Sequence, residues 1–230
     1  MVERAAFICG CGHSGTTLIA AILASHPQVY IPFEETNIFF KWAPLAMFRY
    51  WKIRTAARRA GKSFLLEKTP RHIRRVERIR RMVPGARFVV PVRDGRDVVA
   101  SIGRRLGNRK EALDRWISDN SLVLAQRGKP DVLIYRYEDL VENPGVIVER
   151  ICKFLGLPYS PELLDYHMRP QNWFESSGAE QKEHVALRNR QISQPIYDGR
   201  GRWRSEIAET DLQGLKQGRG ALLMKEFGYE

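Results

Sequence analysis

The chain has 230 residues, 38 basic and 26 acidic, for a formal charge of +12. A composition 43% apolar and 10% aromatic fills the core of one compact domain. That composition excludes a disordered tail, and no apolar run reaches the ~20 residues of a membrane span. Arginine, 28 of the basic residues, suits an anionic ligand because its planar fork matches phosphate and sulfate, though composition alone does not choose between that, a nucleic-acid binder and a solvated basic surface.

The N-terminus, Met1-Val2-Glu3-Arg4, runs into apolar sequence without a cleavable segment, the pattern of a cytoplasmic protein. Ala5 to Cys9 reads as a buried strand, Gly10 to Gly15 as a loop, and Thr16 to Ser25 as a helix ended by His26-Pro27. Phe64 to Leu66 is the next strand, followed by a turn at Glu67-Lys68-Thr69-Pro70 and a basic helix from Arg71 to Met82. In that helix Ile73, Val76, Ile79 and Val83 form an apolar stripe, and the arginines read as a solvated face. After the Pro84-Gly85 break, Arg87 to Val92 is a strand despite Pro91, and Asp97 to Leu106 a helix. A helix at Glu111 to Gln126, a strand at Val132 to Tyr135 and a helix at Pro144 to Phe154 follow, then loose sequence and a last helix from Thr210 to Phe227. Strands alternating with helices predict an α/β fold with a central parallel sheet between two helical layers. Cys9, Cys11 and Cys152 are too few for a disulfide framework and lack the partners of a zinc site, so they read as reduced structural thiols, and no metal site is expected.

The segment Gly10-Cys11-Gly12-His13-Ser14-Gly15-Thr16-Thr17 has the spacing of a P-loop, between a strand and a helix as that motif requires. Glycines let backbone N–H groups gather around an anion, and the helix start adds its own N–H groups and positive dipole end. Where a nucleoside triphosphatase carries lysine, however, this chain has Thr16. The hydroxyls suit a 5′-phosphate with a less charged neighbour, such as a phosphosulfate, better than a triphosphate with Mg²⁺. Two other classes remain to be weighed: a P-loop nucleotide kinase, which Thr16 counts against, and a nucleic-acid-binding module, for which no aromatic-basic motif is present, so no nucleic-acid partner is expected.

Ser14-Gly15-Thr16-Thr17-Leu18 resembles the 5′-phosphosulfate loop of sulfotransferases that use 3′-phosphoadenosine 5′-phosphosulfate (PAPS). Val92-Arg93 with Ser101 in the following helix resembles that family's second element, which grips the 3′-phosphate. Further similarity lies in His26-Pro27, Phe33-Glu34-Glu35-Thr36, Glu67-Lys68-Thr69-Pro70, Tyr135-Arg136-Tyr137-Glu138-Asp139-Leu140 and Phe154-Leu155-Gly156, closest to the tyrosylprotein-type and bacterial branches.

The resemblance implies sulfuryl transfer to an acceptor hydroxyl with PAPS as donor, 3′-phosphoadenosine 5′-phosphate (PAP) as product and no metal. It makes Glu35 the catalytic base, with Glu34 the alternative if the register slips by one, and Lys68 the cation at the leaving oxygen. Gly12, His13, Ser14, Gly15, Thr16, Thr17 and Leu18 would line the 5′ side, Ser14 close to the bridging oxygen. Arg93 and Ser101 would take the 3′-phosphate, with Arg105 one turn further as helper and Tyr137 near the nucleotide. Arg188, Arg190, Arg202 and Trp203 are candidates for a basic loop over it, and Asp94 and Arg96 read as organisers of the turn after the strand. His13 stands where the family commonly has Lys or Arg, and whether it supplies that charge is open. The aromatics Phe39, Phe40, Trp42, Phe48, Tyr50 and Trp51 read first as core or interface packing and second as acceptor lining. The acceptor is left open among carbohydrates, phenols and peptide tyrosines, with an anionic acceptor and a homodimer as further options.

Overall fold

The computed structural model describes residues 4–32, 34–168, 189 and 192–229. A five-stranded parallel sheet, ordered β2-β3-β1-β4-β5, is built from β1 (Arg4–Ile8), β2 (Val29–Tyr30), β3 (Phe64–Lys68), β4 (Arg87–Val92) and β5 (Val132–Arg136). Its helices are α1 (Thr16–Ala24), α2 (Ala43–Arg59), α3 (Val76–Met82), α4 (Gly95–Leu106), α5 (Arg109–Leu124), α6 (Tyr137–Glu142) and α7 (Pro144–Leu155), then the short α8 (Trp203–Glu206), α9 (Gln213–Lys216) and α10 (Gly218–Glu226). Among the described residues, no helix is long and apolar enough to cross a membrane.

The two-residue period of β1 divides the core. Ala6 and Ile8 face one layer, where they pack with Ile19 and Ile22 of α1 and Ile147 and Ile151 of α7. Ala5 and Phe7 face the other, with Tyr50 of α2, Ile79 of α3, Val98 and Ile102 of α4 and Trp116 of α5. This is the expected arrangement of two helical layers on one parallel sheet. Cys9, Cys11 and Cys152 are free thiols, and burial pushes all three up from the ordinary thiol range.

Pro91 is tolerated inside β4 for a geometric reason. Cys9 donates its N–H to Val89 O and Phe88 donates to Asp131 O, so by strand parity residues 87, 89 and 91 turn toward β1. The β1–β4 register ends at Ile8 opposite Val89, so the missing N–H of Pro91 falls where β1 has already left the sheet. The two strands part at this point and a crevice opens.

Several boundaries differ from the sequence reading. Glu67 and Lys68 belong to β3, with Lys68 paired to Ile8, although their polarity suggested a turn. The helix read from Arg71 opens as a 3₁₀ segment, Pro70–Arg75, before α3. The final helix is broken, because Gln217 is extended and Gly218 takes a positive φ of 51° between α9 and α10. The sequence reading missed β2, α2 and α6 altogether.

The polar end of β3 is held by one buried carboxylate. Glu67 accepts hydrogen bonds from Thr36 Oγ1 (2.7 Å), Thr69 Oγ1 (2.5 Å) and His72 Nδ1 (2.9 Å). Burial pushes its carboxyl up, but the His72 charge and these donors outweigh it and hold the pKa below the ordinary glutamate value. Native Glu67 therefore stays ionised to lower pH than in the unfolded chain. Its contribution is complete above the ordinary glutamate range and is lost as pH falls through the depressed native value. Glu67→Ala leaves three buried partners unpaired, so urea unfolding is expected to show a loss of about 3–5 kcal/mol at neutral pH, with a smaller deficit in strong acid. A variant as stable as wild type would contradict the role of Glu67 as the anchor of this segment.

Candidate active site

The crevice lies at the carboxyl ends of β1 and β4, where the chain leaves in opposite directions: α1 packs on one face of the sheet and α4 on the other. That divergence is where open α/β sheets bind ligands. The loop leaving β1 takes positive φ at Gly10 (139°), His13 (67°) and Gly15 (88°), and Gly15 is the residue before the first turn of α1. Such a left-handed loop at a helix start gathers N–H groups around an anion. Gly10 donates its N–H to Pro70 O at 3.0 Å, tying the loop to the segment after β3. Thr16 is buried, Thr17 and Leu18 are half-buried, and Gly12 lies against the Arg115 guanidinium of α5.

Arg93, at the end of β4, reaches across the crevice. Its Nη1 donates to His13 O at 3.4 Å and its Nη2 to Gly199 O at 2.5 Å. Its Nη2 also lies 3.6 Å from Asp97, and its guanidinium carbon stands 4.4 Å above the Tyr137 ring. From α4, Ser101 Oγ shares a 2.7 Å hydrogen bond with His13 Nδ1. The structure thus brings both sequence motifs into direct contact. Among the described residues, Ser14 Oγ and Arg93 Nε are buried polar atoms without a hydrogen-bond partner. Both belong to the anion-binding set read from sequence, and an anionic ligand in the crevice would satisfy them.

At the neighbouring end of β3, Lys68 Nζ donates to Glu35 Oε1 at 2.8 Å. Lys68 is 1% exposed and Glu35 is 25% exposed at its side chain, so a buried ammonium meets a carboxylate that solvent or a substrate can reach. Glu34 is exposed and contributes no described contact there. The Glu35 backbone is fixed from behind: Asn37 Nδ2 donates to Glu35 O, Asn37 N to Thr69 Oγ1, and Thr36 to Glu67.

The remaining candidates are less central. Arg105 is exposed in the last turn of α4, and Arg202 is exposed, 3.6 Å from Glu206. Trp203 stacks between Arg96 and Arg204, each guanidinium 4.9 Å from its ring. Asp94 caps α4 by accepting from Arg96 N and pairs with the Arg96 side chain, as the sequence reading expected of a turn. Arg188 and Arg190 lie outside the described residues.

Three contributors escaped the sequence reading. Asp97, 3% exposed, accepts from Gly201 N (2.9 Å) and Trp203 N (3.1 Å), so it clips the 199–203 segment over the crevice beside Arg93. The available signal was its place four residues after Arg93, in the first turn of the following helix. Gly199 and Arg115 meet the site only through contacts distant in sequence, for which no local signal exists.

A family model described as "Sulfotransferase family" matches residues 5–44 and 42–161. Protein-tyrosine sulfotransferase 2 of Gallus gallus is 29% identical over 70% of this chain and 53% of its own length. The chain spans about half to two thirds of the length of the first curated relatives it matches. Two solved structures share the fold. The sulfotransferase domain from the Synechococcus PCC 7002 olefin synthase has a TM-score of 0.74 and 21% identity over 99% of this chain and 95% of that one. Mouse sulfotransferase SULT7A1 complexed with PAP has a TM-score of 0.55 and 11% identity over 97% of this chain and 89% of that one.

The loop also makes a packing prediction. A Cβ on Gly15 would lie 2.6 Å from Tyr137 Cδ2, at a φ of 88° that disfavours side chains. Gly15→Ala is expected to lose about 1–3 kcal/mol in chemical denaturation, and additional truncation of Tyr137 to Ala should recover part of that loss relative to the Tyr137→Ala background. Full additivity of the two substitutions would contradict the contact.

Proposed function

Because the chain belongs to the sulfotransferase family, we propose that it transfers a sulfuryl group from PAPS to the hydroxyl of an acceptor, by in-line displacement with a carboxylate base. The observation that carries this reading is the convergence of the two phosphate motifs. His13 and Ser101 touch at 2.7 Å and Arg93 bonds the loop carbonyl, next to a strand end that presents the Glu35–Lys68 pair. The mouse structure with PAP supports the nucleotide, and the chicken relative's name supports a tyrosine among the acceptors.

When bound, PAPS supplies the transferable sulfuryl group. The residues present fit it: Ser14 Oγ and Arg93 Nε are buried donors in need of an acceptor among the described residues. Gly12 to Leu18 would hold its 5′ side, and Arg93 with Ser101, helped by Arg105, its 3′-phosphate. Tyr137 would wall the nucleotide, and the Asp97-clipped segment leading to Arg202 would cover it.

Glu35 removes the proton of the acceptor hydroxyl at its carboxylate oxygen. Lys68 orients that carboxylate through the 2.8 Å ion pair and places positive charge where negative charge gathers on the leaving oxygen. His13 is held by Ser101 at the position between the two motifs, so its ring orientation depends on the 3′-phosphate side.

Thermal melting with PAP, with ATP and Mg²⁺, and with an oligonucleotide separates this reading from a kinase and from a nucleic-acid module. PAP should raise the melting temperature of wild type and of Glu35→Gln alike, while Glu35→Gln loses about 10²-fold or more in turnover with labelled PAPS and a phenolic or carbohydrate acceptor. Stabilisation by ATP-Mg²⁺ alone, or full turnover by Glu35→Gln, would contradict the assignment.

A further inference from the structure

The helix that sequence patterning missed has an unusual outer face. α2 packs on the body through Ala46, Tyr50 and Ala57, all buried. The opposite side carries Phe48 (55% exposed) and Trp51 (58%), with Met47 (40%) on its flank and Trp42 (69%) at the residue before the helix. These are four of the nine exposed large apolar side chains among the described residues, gathered on one element, and such a gathered patch marks an interaction surface where scattered ones do not. Phe48 and Trp51 stack with ring centroids 6.2 Å apart, and Lys52 Nζ lies 5.6 Å from the Phe48 centroid. Below Trp51 a cleft of about 320 Å³ opens between α2 and the Met82–Pro84 turn, walled by Arg54 and Arg58.

The charge along this stretch of chain has one sign. From Asn37 to Leu66 the sequence has no Asp or Glu, whereas α2 alone carries Arg49, Lys52, Arg54, Arg58 and Arg59. On the helix surface Phe48, Lys52, Thr55 and Arg59 follow one another at three- and four-residue spacing, with Trp51 beside Lys52 and three residues after Phe48. Aromatic side chains thus occupy the N-terminal half of the outward stripe and cations the C-terminal half and flanks. A second copy docked on the same face would bring cations against cations, in a chain already at +12. Tryptophan and phenylalanine beside a one-signed rim of arginine and lysine fit the boundary of an anionic bilayer, where rings enter the headgroup layer and the cations meet lipid phosphates.

We propose that α2 is an interfacial helix that seats this protein on anionic lipid bilayers. The proposal does not depend on the sulfotransferase chemistry. It has a geometric consequence for any chemistry at the crevice: Phe39, in the segment after Glu35, packs 6.1 Å from Tyr50 on the inner side of α2. The docked helix would therefore hold the Glu35 segment near the lipid surface.

The test is co-sedimentation with vesicles of phosphatidylcholine alone and of phosphatidylcholine with about 30% phosphatidylglycerol, at low and near-physiological salt. The protein should bind the anionic vesicles and not the neutral ones, with a blue shift in tryptophan emission. The triple variant Trp42→Ala/Phe48→Ala/Trp51→Ala should lose the shift and the binding. Lys52→Gln/Arg59→Gln, both at exposed positions, should lower partitioning roughly 25-fold at an unchanged melting temperature. Arg150→Gln/Lys153→Gln, on α7 at the other face of the sheet, removes the same charge and should leave partitioning within about twofold of wild type. The proposal would be overturned by no binding to anionic vesicles, by equal weakening by the α7 variant, or by an acidic polypeptide such as polyglutamate bound through the α2 residues while vesicles are ignored. A dimer in sedimentation that the aromatic variant abolishes would do the same.

Discussion

One guanidinium ties the crevice together. Arg93 touches the loop from β1, the Tyr137 ring that follows β5, Asp97 on α4 and the carbonyl of Gly199. Four separate stretches of chain therefore depend on a side chain that is only 13% exposed. Two of its hydrogen-bond partners are neutral backbone carbonyls, and a carboxylate lies further away. A largely desolvated cation so placed favours a ligand with more negative charge than carbonyls provide. The parting of β1 and β4 makes room for that ligand, and the clipped 199–203 segment stands over it.

The second constraint lies one strand away. Glu67 and Lys68 are adjacent residues, both 1% exposed, at the end of β3. Buried charges persist only when paired, and each has its own partners: His72, Thr36 and Thr69 for Glu67, Glu35 for Lys68. Both sets pull the Glu35–Asn37 stretch onto the strand end. The same electrostatic requirement that lets charged residues live inside the sheet thus positions the proposed base at the strand end beside the loop that leaves β1, without any need for an independently rigid loop.

Much of this arrangement was legible in the residues. Glycine spacing between an apolar run and a helix pointed to the loop at Gly10–Gly15, and the family resemblance pointed to Arg93 and Ser101, which the fold brings against that loop. The loop's spacing is local, so it is legible from the residues alone. Glu67 and Lys68 were read as a turn because polarity argues against a buried strand, and the partners that neutralise them lie elsewhere in sequence. α2 was missed for a different reason: aromatic side chains on its outer face erase the amphipathic stripe by which a surface helix is recognised. Extended Gln217 and Gly218, at positive φ, broke the last helix that apolar spacing had joined. Gly199 and Arg115 enter only when the chain folds back.

Arg93 is proposed to read a 3′-phosphate. Calorimetry of PAP and of AMP, which lacks that phosphate, binding to wild type and Arg93→Ala tests it most directly, because the cycle isolates the coupling between one side chain and one ligand group. PAP is expected to bind wild type roughly 10- to 100-fold more tightly than AMP, and this advantage is expected to collapse in Arg93→Ala, whatever AMP affinity the variant retains. The same preference for PAP in both proteins would contradict it.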